Sequence, residues 1–173
     1  MGIAHRFIKV GADIGAVTFN YGEIMEVLTV VDILKGDEIT HLVKTPVIDA
    51  TADDFTRAIQ AHRDRQDRLY DHYTSPALFG PYPVATDAKF RSGDYVCFNG
   101  MWNAVIFDYL ESPITGTFVY RVMAAKNLTR AQYRGEEWTD ALLAPSTKDA
   151  FYDEYLKLRA EQDARLTDIL GAT

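Results

Sequence analysis

The groups that could bind a metal or move a proton in this 173-residue chain are four histidines, one cysteine and 25 carboxylates. His5, His41, His62 and His72 show no metal-ligand spacing on a common face, and paired cysteines of the zinc-binding kind are absent. Cys97 lies in the apolar run Tyr95-Val96-Cys97-Phe98 without a neighbouring histidine or cation to lower its thiol pKa, so it reads as a small buried hydrophobe. Gly11-Ala12-Asp13-Ile14-Gly15 has two glycines but neither the lysine nor the following helix of a phosphate loop, and no Gly-x-Ser-x-Gly elbow occurs. Some pair among the carboxylates must be close in space, but no spacing selects one for acid–base work. The sequence therefore offers no catalytic motif and implies no cofactor or metal, and the reading leans away from an enzyme.

Binding is the other chemistry to consider. Tyr95, Trp102, Tyr109 and Tyr120 crowd one β-rich block, and their hydroxyl and indole ends favour half-exposed positions, so they could line a groove for a peptide or a base. Core packing is the plainer account of the same residues. Gln66 and Gln162 each interrupt the apolar stripe of a helix, where an amide must find hydrogen bonds or cost a few kcal/mol. Bonds to strand backbone or to a turn would satisfy them; a polar pair facing a ligand cleft, with His62 beside it, is the functional alternative. Arg63 with Asp67, and Arg159 with Asp163, stand four apart and can pair on a helix surface.

Two long helices must position these groups. Thr51-Ala52-Asp53-Asp54 and Ser146-Thr147-Lys148-Asp149 are N-terminal signals, with a hydroxyl to cap orphan amides and acids to complement the dipole. Phe55, Ile59, His62, Gln66, Leu69 and Tyr73 then recur at helical spacing over 51–73, and Phe151, Tyr155, Leu158, Gln162, Leu166 and Ile169 over 147–170. Strands are expected at 5–10 and 14–20, followed by one long strand from Glu23 to Leu34. A turn at Lys35-Gly36-Asp37 then leads to a partner strand over 38–44. Residues 76–89 read as a proline-rich ordered connector. Beyond it come strands around Tyr95-Val96, an Asn99-Gly100 hairpin, a strand over 102–109, a turn at Pro113-Ile114-Thr115-Gly116 and a strand over 117–123. Residues 126–145 are less regular, with one helical turn near Thr129, Arg130, Gln132 and Tyr133.

Both halves thus run strands and then a helix. At an offset of 96 the helices align without gaps, pairing Thr51 with Thr147, Asp53 with Asp149, Phe55 with Phe151, Arg63 with Arg159, Gln66 with Gln162 and Asp67 with Asp163. The strands align more loosely near an offset of 79, as Val27-Leu28 with Val105-Ile106 and His41-Leu42-Val43 with Tyr120-Arg121-Val122. The expectation is an α+β protein made by internal duplication. One unit covers 1–75 and the other 90–173, each an antiparallel sheet or barrel followed by a helix of about 20 residues, both packed as one globular domain.

Phe90-x-x-Gly93-Asp94-Tyr95-Val96, Gly100, Trp102-Asn103-Ala104-Val105-Ile106 and Gly116-Thr117-Phe118-Val119-Tyr120-Arg121-Val122 together resemble a small SH3-like barrel over residues 90–123. The resemblance implies short hairpins after a Gly-Asp turn, and a fold that often binds peptides, nucleic acids or other domains.

A formal net charge of -7 disfavours nucleic acid and anionic membranes, which require clustered lysine and arginine. The most apolar run, Val27 to Leu34, is broken by Asp32 and too short to span a bilayer. The start shows no export signal core, so the expected compartment is the reducing cytoplasm. These features favour a binding or interaction protein acting through an aromatic-lined β surface, with protein or peptide as partner and a homo-oligomer as a further form. The alternative is a small-molecule-binding protein or enzyme with its site where the repeats meet.

Overall fold

The computed structural model describes residues 6–36, 40–75, 89–111, 118–130 and 134–171. The fold is α+β, with two antiparallel five-stranded sheets, each followed in the chain by a long helix. The chain divides into two compact units, one formed by Met1–Arg65 with Arg159–Thr173, the other by Gln66–Leu158.

In the first unit β1 (Phe7–Val10), β2 (Asp13–Asn20) and β3 (Ile24–Thr29) run directly into a short helix, α1 (Val30–Lys35). β4 (His41–Lys44) and β5 (Asp49–Ala50) follow, and the strand order is β4-β3-β2-β1-β5. Side chains alternate across the sheet. Ile8, Met25 and Val27 pack on one face with Val10, Val17 and Val43. Phe7, Ala16, Val30, Ile33 and Leu34 pack on the other with Phe55 from the first half of α2 (Ala52–Thr74) and Leu166 from the second half of α4 (Lys148–Leu170).

The long strand expected through Leu34 ends at Thr29. The Thr29 hydroxyl accepts the Asp32 amide and Gly36 closes the helix at φ 79, so a cap at each end overrides the strand preference of Val30, Val31 and Ile33. Gly36 is accordingly a helix terminator and not a hairpin residue.

The second unit repeats the plan. β6 (Tyr95–Phe98), β7 (Trp102–Glu111) and β8 (Phe118–Ala124) lead directly into α3 (Ala125–Thr129). β9 (Glu136–Thr139), a single 3-10 turn (Asp140–Leu142) and β10 (Leu143–Pro145) complete the order β10-β6-β7-β8-β9. Asn99 and Gly100, at φ 48 and 70, make the expected tight hairpin between β6 and β7. One face buries Val96, Ala104, Ile106, Tyr120 and Trp138. The other buries Val105, Met123 and Leu128 against Leu69 of α2 and Phe151 and Tyr155 of α4. Cys97 is half-buried where full burial was expected. The connector at 76–88 and the turn at 113–116 lie outside the described residues.

The two sheets share order, register and irregularities. Ile8 faces Asp49 as Val96 faces Pro145, and Ile24 faces Lys44 as Val119 faces Thr139. The β2–β3 ladder slips between Val17 and Phe19, and the β7–β8 ladder between Ile106 and Asp108. This matching replaces the strand alignment near an offset of 79: β3 corresponds to β8, not to β7. Sheet position is fixed by backbone pairing and bulges, which few residue identities report.

Candidate binding surface

The glutamines expected to face either backbone or a ligand are both buried and bonded to backbone. Gln66 donates its side-chain amide to the Thr129 carbonyl at the end of α3. Gln162 donates to the Leu34 carbonyl in α1 at 2.5 Å, and its oxygen accepts from Arg63 Nη1 at 2.6 Å. Each thereby satisfies a carbonyl that a short helix leaves without an intrahelical donor. Arg63 is buried and pairs with Asp163 of α4, and Asp67 accepts the Tyr155 hydroxyl at 3.2 Å. His62 is buried, with Arg65 Nη2 at 3.4 Å from its Nδ1.

Tyr95, Trp102 and Tyr120 do not share one groove. Tyr120 is fully buried, its hydroxyl accepting the amides of Lys89 and Phe90 at 3.1 and 3.2 Å, so it cannot line an open surface. Trp102 packs half-buried beside it, with Lys126 Nζ 4.8 Å from its ring. Tyr95 faces the opposite side of the sheet against Phe151, 5.5 Å between ring centres, and burial pushes its hydroxyl pKa up. Of Tyr109 only the backbone place, in β7 opposite Tyr120, is described. Period-two alternation separates Tyr95 and Trp102, an odd number of positions apart across a hairpin, and the aromatic composition of the block conceals this.

An exposed apolar surface lies instead on the first sheet. Phe19, Tyr21, Ile24 and Leu42 are 54%, 60%, 42% and 69% exposed. Phe19 faces Glu26, and Glu26 faces Leu42, so β2, β3 and β4 present one continuous cross-strand row. Directly opposed residues share a face, with Cβ atoms about 5 Å apart. The Phe19 and Tyr21 rings meet at 4.4 Å, and the Tyr21 hydroxyl donates to Glu26 Oε1 at 3.3 Å. Burial and the neighbouring carboxylate raise the Tyr21 pKa. Two residues further along β3, Leu28 enters a cleft of about 370 Å³, lined also by Thr18, Ile33, Thr40, Arg165, Asp168 and Ile169.

The corresponding row of the second sheet has the opposite character. Asp108 faces Arg121, and Arg121 faces Glu137, at the places held by Phe19, Glu26 and Leu42. Arg121 pairs with both acids, at 3.4 and 3.6 Å. Beside that row a cleft of about 410 Å³ is bounded by Tyr73, Phe107, Arg134, Gly135 and Glu136. Phe107, Gly135 and Tyr73 stand where Thr18, Thr40 and Ile169 stand in the first unit, so the two clefts occupy matching places. A Cβ at Gly135 would lie 2.5 Å from the Val122 carbonyl oxygen and 2.6 Å from the Phe107 ring, so the cleft wall requires glycine there.

Phe19 was legible only as a residue of the strand expected at 14–20, and Tyr21 fell between that strand and the next. The signal that would have found them is an apolar run at alternate positions that continues along the helix-covered face beyond the part the helices bury. Among the described residues no group of three or more histidine, cysteine, aspartate or glutamate side chains is placed to hold a metal ion, and no helix is long and apolar enough to cross a membrane. Compared with known proteins, the chain matches no family model, no curated protein and no solved structure.

Proposed function

We propose that this chain is an interaction protein that docks a protein or peptide partner on the face of its first sheet formed by Phe19, Tyr21, Ile24 and Leu42. The carrying observation is the contrast between matching positions. At the places of Phe19 and Leu42 the second sheet carries Asp108 and Glu137, both paired with Arg121, so a sheet of this order and register does not require apolar side chains at those two places. Exposing two aromatic rings and two aliphatic chains in one row costs solubility without adding to the core, which is the usual mark of a contact surface.

The same reading takes the two units as descendants of one duplicated element with SH3-like ancestry. The shared strand order, the paired bulges and the alignment of the helices at an offset of 96 support duplication. After duplication one copy kept or gained a docking row and the other sealed its own with ion pairs.

A displayed random-peptide library panned on the full chain tests the proposal. Peptides retained by the native chain should be lost on a Phe19→Ser, Leu42→Ser double variant, while an Asp108→Asn variant keeps them. Both serine positions are exposed, so thermal unfolding should change little. Retention of the same peptides by the double variant, or no enrichment at all, overturns the proposal.

A further inference from the structure

Glu26 stands in the middle of the apolar row, between Phe19 on one strand and Leu42 on another. It is half-buried, and its carboxylate accepts one hydrogen bond, from Tyr21. Among the described residues no cation lies within ion-pair distance of it. Lys44, opposite Ile24 on the same face, is the nearest basic residue in the ladder and does not close on it. The matching place in the second sheet is held by Arg121, whose guanidinium lies between two carboxylates. The first sheet therefore inverts the arrangement, with a lone anion flanked by apolar and aromatic side chains.

We propose, on the reading that this face is the docking surface, that the partner presents an arginine or lysine to Glu26 and an apolar side chain to the neighbouring cleft. A cation over Glu26 would meet a carboxylate and, beside it, the Phe19 and Tyr21 rings, whose electron-rich faces attract positive charge. The acidic chain, at a net charge of -7, adds a long-range attraction for a basic partner.

The spacing of the two subsites defines the segment. Leu28, which lines the cleft, and Glu26 are two residues apart on β3 and share a face. Along an extended chain that is about 6.7 Å, the distance between alternate side chains of a second extended segment. The ligand is thus an extended peptide with a basic and an apolar residue separated by one position. Ile33 and Ile169 supply apolar walls for the second side chain, Thr18 and Thr40 supply polar edges, and Arg165 and Asp168 line the cleft as well.

The test uses the full chain and the same displayed library, panned in parallel on native protein and on Glu26→Gln and Glu26→Lys variants. Native protein should enrich sequences with arginine or lysine two positions from an apolar residue. A synthetic peptide of the enriched sequence should bind the Glu26→Gln variant about five- to tenfold more weakly, with a shallower salt dependence. The Glu26→Lys variant should select acidic residues at that place. Enriched peptides without a basic residue, but lost on the Phe19→Ser, Leu42→Ser double variant, overturn this inference and leave the docking surface standing. Peptides indifferent to both sets of variants overturn both. Concentration-dependent dimerisation abolished by Leu42→Ser would assign the face to a second copy of the chain and overturn the peptide proposal.

Discussion

Gln162 joins the carbonyl of Leu34 to the guanidinium of Arg63, donating to the carbonyl at 2.5 Å and accepting from the guanidinium at 2.6 Å. All three lie in the first unit, so a helix carbonyl and a buried charge depend on one amide. Gln66 likewise holds the Thr129 carbonyl in the second unit.

A Gln162→Leu variant should lose about 2–4 kcal/mol of stability, because it strands a buried arginine contact together with an unpaired carbonyl. Gln66→Leu should lose about 1–3 kcal/mol, because it leaves the buried Thr129 carbonyl without the amide that bonds it. Urea unfolding of the full chain measures both. No measurable loss in either variant would contradict the assigned roles.

Gly135→Ala should destabilise the second unit by about 2 kcal/mol or more, since the added methyl group meets the Val122 carbonyl and the Phe107 ring at once. Adding Phe107→Ala should restore little, because the clash with Val122 is with backbone and persists. Thermal unfolding of the single and double variants checks the expectation. Full recovery in the double variant would place the whole conflict at the ring.

Asp32 gives the pH response of the first unit. Burial raises its pKa, but hydrogen bonds from the Thr29 hydroxyl and from His41, with the charges of His41 and Lys35, outweigh it and hold the carboxyl below its ordinary 3.8. A folded-state pKa below the unfolded one stabilises above the unfolded value, and the stabilisation disappears as pH falls through 3.8 and on through the lower folded value. An Asp32→Asn variant should therefore show a flatter loss of stability across that acid range than the native chain in denaturant titrations at stepped pH. An unchanged acid limb would count against the assignment.

The parts of this structure that the sequence disclosed are those where local chemistry and packing agree. The long helices announced themselves through Thr51 and Thr147, whose hydroxyls accept the amides of Asp54 and Ala150 at 3.1 and 3.0 Å, and through apolar residues at helical spacing. Both Asn99-Gly100 and the buried state of the glutamines were readable for the same reason. The short helix α1 was hidden because Val30, Val31 and Ile33 carry strand propensity, while its evidence lay in single capping residues, Thr29 and Gly36. The candidate surface was hidden because it depends on register. Which residues stand beside Glu26 is decided by a bulge at Thr18 and by β4 pairing, neither of which residue types alone specify.

The division of the helices between units has a consequence for the order in which the protein is made. Phe7, Leu34 and Phe55 are synthesised before the second unit, but Leu166 and Gln162, which complete their side of the first sheet, are synthesised after it, and the Gln162–Leu34 bond spans 128 positions. The second unit is contiguous from Gln66 to Leu158 and draws on no later residue. The earlier sheet must therefore wait through the synthesis of a whole further unit with part of its apolar face uncovered.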